Sequence, residues 1–245
     1  MKLPFLTIFL VFVIVLTVRL QMSKRSEKDV NKEFWERELR ANSVRRKDIE
    51  NLPYIPFDPA MIPEHPELED ERVNEYIAEL KGLAGKRILN CTGQTNTDLK
   101  LEYGAANITK LTEYDGNYTI LVRTIARLAE KYLIHSARFL EDVSTAETPK
   151  DGQEQAFTPK TAGLQSDQEQ FFKEQSSTLK ADAQKLLEYG ISIGTDVRLN
   201  YELLGQLYAE NNDFAKIEGL KATAETLNSL SKEPILRMLD RLMPV

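Results

Sequence analysis

Hydrophobic residues are distributed unevenly along the chain. From Leu3 to Val18 they run without a charge, interrupted only by Pro4, Thr7 and Thr17. Carried as helix through Met22, the run is roughly 30 Å long, which matches the hydrocarbon core of a bilayer if Arg19 snorkels to the headgroups. Residues 1–22 are therefore predicted to be a single transmembrane anchor, with residues 3–20 in contact with lipid. A cleaved signal peptide is the competing reading. It requires small residues after the apolar core, and Thr17 to Ser26 contains no Ala and no Gly.

Residues 23–52 change character. They are charge-rich, with Phe34, Trp35, Leu39, Val44 and Ile49 at mostly helical spacings, and predict a juxtamembrane helix with a narrow apolar stripe. Residues 53–68 come next as a strap, because five of the ten prolines fall between Pro53 and Pro66. Proline fixes φ and moves the preceding residue out of the helical region, so this stretch must be extended. Its PxxP spacings match ligands of aromatic-lined grooves. Its apolar residues, Tyr54, Ile55, Phe57, Met61 and Ile62, favour packing on the protein's own body.

From residue 69 to 245 the pattern is helical. Glu69 to Gly82 places Val73, Tyr76, Ile77 and Leu80 on one face. Asn96 or Thr97 is positioned to cap a helix beginning near Asp98. From Tyr118, residues Ile120, Leu121, Ile125, Leu128, Ala129 and Leu133 fit one long helix or a tight pair. Residues 144–168 are poor in apolar side chains and read as a polar loop. Further helices are expected at about 168–190, 196–211, 213–229 and 232–242. The fold class is all-α.

Charge then restricts partners and topology. With 38 acidic against 32 basic residues and a net charge of −6, the chain lacks the positive surface of a nucleic-acid binder. Arg19, Lys24, Arg25, Lys28 and Lys32 lie after the apolar run, against Lys2 before it. The positive-inside rule therefore places the protein in the cell membrane, single-pass, with its C-terminal body in the cytoplasm rather than outside. The opposing consideration is that an N-terminal anchor often exports the rest of its chain. Asn-x-Thr sequons at Asn90, Asn107 and Asn117 would reverse the topology if they were glycosylated.

The stretch from Asn200 to Leu230 resembles a tetratricopeptide repeat, in which large, small and aromatic residues recur on two antiparallel helices. Tyr201, Leu204, Gly205 and Tyr208 match the first helix of such a unit, and Ala224 matches the late small position of the second. Ile217, Lys221 and Ser229 depart from the pattern. The resemblance implies a helical-hairpin array behind the anchor, with a protein or peptide as partner and no catalysis.

A second polar feature lies at residues 88–107. Together with YDGNY from Tyr114, it is similar to uncharacterised membrane-anchored bacterial proteins of no assigned reaction. Cys91, Thr92, Gln94, Asn96 and Asp98 could line a polar pocket there. The plainer reading is a turn and a helix cap, with Gly93 at positive φ. No metal-binding, phosphate-loop, dinucleotide or nucleophile-elbow motif occurs. Cys91 lacks a base nearby in sequence, since the two histidines are at 65 and 135. No catalytic, metal or cofactor residue is therefore assigned. Small-ligand binding or an enzyme at 88–107, and a structural envelope or assembly role, stand as alternatives to an interaction protein.

Overall fold

The computed structural model describes residues 3–146 and 159–244. It is built of helices and turns, with no strand among the described residues. The chain divides into two compact units, residues 1–51 with 94–111, and residues 52–93 with 112–245.

The smaller unit contains α1 (Leu3–Ser43) and α3 (Asn96–Tyr103). α1 runs without interruption through the expected anchor and most of the expected juxtamembrane helix. Between Leu20 and Ser43 there is no Gly or Pro to stop it, and Glu, Lys, Arg and Leu sustain helix well. Among the described residues no helix is long and apolar enough to cross a membrane. Phe9 to Leu16, the described core of the apolar run, are 40–60% exposed.

α3 is capped by Thr95 rather than by Asn96 or Thr97. The Thr95 hydroxyl accepts from the Asp98 amide, and the Asp98 carboxylate accepts from the Thr95 amide, which is a reciprocal capping box. Having its acidic partner at the third helical position decides for Thr95. A 3-10 turn at Ala105–Asn107 comes after it. Gly104 sits at φ +87, and a Cβ there would come within 2.5 Å of the Arg45 carbonyl oxygen, so only glycine fits. Ala41, Ile49, Leu99 and Leu111 form the unit's small apolar interior.

The larger unit begins with the strap, which contains two short 3-10 turns, Pro59–Met61 and Pro66–Leu68. Ile62 joins the core with Ile55 and Phe57 packed against it, whereas Met61, expected to pack with them, is exposed. Tyr132 and Tyr189 donate hydroxyl hydrogen bonds to the carbonyls of Pro63 and Pro56. α2 (Glu71–Lys81) starts at Asp70, whose carboxylate accepts from the amides of Arg72 and Val73.

α4 (Ile108–Ala146) has its first four residues in the smaller unit and is a single helix of 39 residues. Gly116 does not break it, and a Cβ there would meet no atom within 4 Å. α5 (Pro159–Ser192), α6 (Arg198–Glu210), α7 (Phe214–Glu225) and α8 (Lys232–Asp240) complete the unit. The polar loop expected at 144–168 is narrower than its composition indicates. Residues 144–146 end α4, and α5 begins at Pro159, a residue suited to the first helical turn. Residues 147–158 of that loop lie outside the described residues.

The core is assembled from one stripe of each helix. Ile77 and Leu80 of α2, Leu121, Leu128 and Tyr132 of α4, and Leu179 and Leu187 of α5 meet Tyr201, Leu204, Ile217, Ile235 and Leu239. Each such side chain contributes about 1.5–3 kcal/mol by leaving water.

Candidate functional site

The five residues of the expected polar pocket fall into different units and do different work. Cys91 and Thr92 belong to the larger unit; Gln94, Asn96 and Asp98 belong to the smaller. Cys91 is buried and its amide donates to Asp115 Oδ1 at 3.0 Å. Burial, with the Asp115 charge beside it, pushes its thiol up to about 11, so it is no nucleophile at neutral pH. Gln94 is exposed and Asn96 opens α3. Asp98 completes the capping box and pairs with Arg37, and the Thr95 hydrogen bonds, ahead of the Arg37 charge, hold its carboxyl below the usual range.

Gly93 takes φ +83, as the turn reading expects, and a Cβ there would sit 2.7 Å from the Asn228 carbonyl oxygen. The three sequon asparagines are bound within the fold. Asn90 donates to the Tyr118 hydroxyl, Asn107 to the carbonyls of Lys47 and Tyr103, and Asn117 to that of Arg87. Asn107 and Asn117 are buried, so no glycan can be carried there in this fold.

Tyr201, Leu204, Gly205, Tyr208 and Ala224 are all buried in the larger unit. At Gly205 α6 packs closely on Leu239 of α8 and on Leu242 just beyond it, since a Cβ would come within 3.0 Å and 2.8 Å of those side chains. Tyr201 donates to the Thr195 carbonyl, and burial pushes its hydroxyl up to about 12, with Asp196 adding to the shift. Tyr208 donates to Glu188 at 2.8 Å, under the Lys216 ammonium.

The two histidines are engaged by carboxylates. Both nitrogens of His65 face oxygens, Nδ1 that of Glu67 at 3.0 Å and Nε2 that of Asp182 at 3.1 Å. His135 Nε2 lies 2.9 Å from Asp70, which also accepts from Lys131. The His135 hydrogen bond, ahead of that from Lys131, keeps the Asp70 carboxyl well below its ordinary value. No group of three His, Cys, Asp or Glu side chains is placed to hold a metal among the described residues.

Among the described residues, a geometry suited to holding another molecule was not assigned from the sequence. A groove of about 360 Å³ runs between α4 and α6 over α5. α4 supplies Glu130, Leu133, Ile134, Ala137 and Leu140, which recur at intervals of three and four, while α6 supplies Leu203, Gln206, Leu207 and Glu210 with the same spacing. Leu133, Ile134, Ala137 and Leu140 of α4 with Leu203 and Leu207 of α6 thus make an apolar floor, with Ile134 and Leu140 each 41% exposed. The rim is charged. Lys180 of α5 pairs with Glu210 at 3.0 Å, whereas Glu130 has no ion pair or hydrogen bond among the described residues.

The groove was legible in principle, because α4 is apolar on two faces. The stripe through Leu121, Ile125 and Leu128 enters the core, and the second, through Ile134 and Leu140, does not. A smaller cavity of about 290 Å³ lies against Thr92 and is lined by Arg123, Asp196 and Arg198 among others. Only Thr92 of these had been singled out, since residues so far apart in sequence carry no local motif. No protein family, curated protein or solved structure matches the chain.

Proposed function

We propose that this chain is a single-pass membrane-anchored helical-repeat protein that binds a partner protein beside the membrane, taking an amphipathic helix into the groove between α4 and α6. The observation that carries the reading is the paired stripe itself. Leu133, Ile134, Ala137 and Leu140 of α4, facing Leu203 and Leu207 of α6, form the receptor half of helix-in-groove recognition. Glu130, which has no ion pair among the described residues, favours a partner helix flanked by Lys or Arg, which also suits the chain's acidic balance. Burial of Tyr201, Leu204, Gly205, Tyr208 and Ala224 supports the tetratricopeptide-like reading of α6 and α7. The exposed run from Phe9 to Leu16 supports an anchor, and the basic residues after it support a cytoplasmic body.

The test uses the full chain in detergent micelles. A basic amphipathic peptide with leucines at helical spacing is titrated against it by fluorescence anisotropy. Ile134→Asp and Leu140→Asp are expected to weaken binding at least about tenfold. Because both positions are exposed, they should leave thermal stability within about 0.5 kcal/mol. Undiminished binding in both variants overturns the groove. Retention in membranes after alkaline washing tests the anchor, and recovery of a shortened soluble form sinks it.

A further inference from the structure

We infer that the cavity against Thr92 binds a small ligand with an oxyanion head, a phosphate or carboxylate, and a neighbouring hydrogen-bond donor. The cavity lies wholly within the larger unit and holds about 290 Å³, at the small end of the ~300–1,000 Å³ typical of ligand sites. Arg123 lines it from α4 and Arg198 from the start of α6, and the hydroxyl-bearing Thr92, Thr119 and Ser231 line it as well. Guanidinium groups present forked donors that match an oxyanion, and hydroxyls add single donors.

Two of the three charged side chains lining this cavity are uncommitted among the described residues. Arg123 and Asp196 line it together, yet neither makes an ion pair or hydrogen bond among the described residues. Arg198 has only a 3.6 Å pairing with Glu202 on its own helix. An exposed pair of that kind stabilises little, so a ligand can recruit Arg198 at small cost. The wall residues Val197 and Ser231 precede α6 and α8, and neither caps its helix through a side chain. Those ends add positive potential, but the two arginines carry the argument.

Asp196 sets the second requirement. Its carboxylate disfavours a ligand that is anionic throughout and accepts from a hydroxyl or ammonium placed beside the oxyanion. The sequence hint, the polar run around Thr92, is thus completed by Arg123 on α4 and by Asp196 and Arg198, more than a hundred positions away.

Isothermal titration of the full chain in micelles with inorganic phosphate, glycerol 3-phosphate and glycerate tests this. Glycerol 3-phosphate or glycerate should bind at least about tenfold tighter than inorganic phosphate, and which of the two is tighter identifies the head group as phosphate or carboxylate. Arg123→Gln and Arg198→Gln should each weaken that ligand about tenfold. Both side chains are exposed, so the unliganded melting temperature should be unchanged. Asp196→Asn should erase the preference over inorganic phosphate without abolishing phosphate binding. Absence of binding by all three probes up to about 10 mM, or unaltered binding in Arg123→Gln, overturns the site.

Discussion

In the smaller unit, α1 and α3 are joined chiefly through polar side chains. Arg37 pairs with Asp98, Glu38 with Lys100, Glu38 accepts from Thr97, and Asn107 holds two backbone carbonyls. The larger unit joins its helices through interlocked apolar side chains, with Leu121, Leu128, Tyr132, Leu187 and Tyr201 wholly excluded from water. The two constructions differ in what defeats them. Exposed ion pairs are screened by salt and contribute little each, whereas a packed core resists salt and fails when volume is removed. The candidate groove and the Thr92 cavity both lie in the core-built unit, where side chains are held firmly enough to present a fixed surface.

Four experiments can break or sharpen that contrast. The largest effect is expected from Leu128→Ala in the core, which should cost about 2–5 kcal/mol in denaturant unfolding and expose α6 and α8 to hydrogen exchange. A loss below about 1 kcal/mol would mean that the larger unit is not core-built. Asn107→Ala comes next. It strands the carbonyls of Lys47 and Tyr103 and should cost about 1–3 kcal/mol, seen as faster exchange in α3 with α6 unchanged. Equal acceleration in both units would show that they unfold as one.

Salt is the gentler probe. Raising it from about 0.05 to 1 M shortens the screening length to about 3 Å, and should speed exchange in α3 while leaving α6 as it was. The smallest effect concerns Cys91. Its thiol stands above its ordinary value of 9.0, at about 11, so the fold favours the protonated form. That contribution is complete below pH 9.0 and is lost as pH climbs toward 11. Labelling by a thiol reagent should stay slow at pH 8 and accelerate only in that window, and rapid labelling at pH 8 would contradict the burial of Cys91.

Much of the helical layout can be read from periodicity, because helices with one apolar face announce themselves. α2, α6 and α8 lie within a few residues of their expected limits for that reason. Composition misled where it ran against helix. Residues 159–168 are polar yet helical, and Gly116 lies inside α4 without stopping it. The cap at Thr95 depended on which hydroxyl could reciprocate with Asp98, a matter of geometry that three adjacent capping residues leave open. The groove and the cavity were least legible. Ile134, Arg123 and Asp196 belong to no local motif, and only the folded helices place them beside their distant neighbours.

The unbroken course of α1 has a mechanical consequence. If residues 3–20 sit in the bilayer as proposed, the helix from Leu20 to Arg37 is a rod about 25 Å long and not a flexible leash. A leash lets its load sweep a hemisphere, whereas a rod holds it at one altitude above the lipid. The point where α3 meets Arg37 and Glu38 would then act as a height gauge, meeting only those neighbours whose own surface stands at the same level. A glycine pair placed within that rod would blur the gauge while leaving the Arg37–Asp98 and Glu38–Lys100 pairs in place.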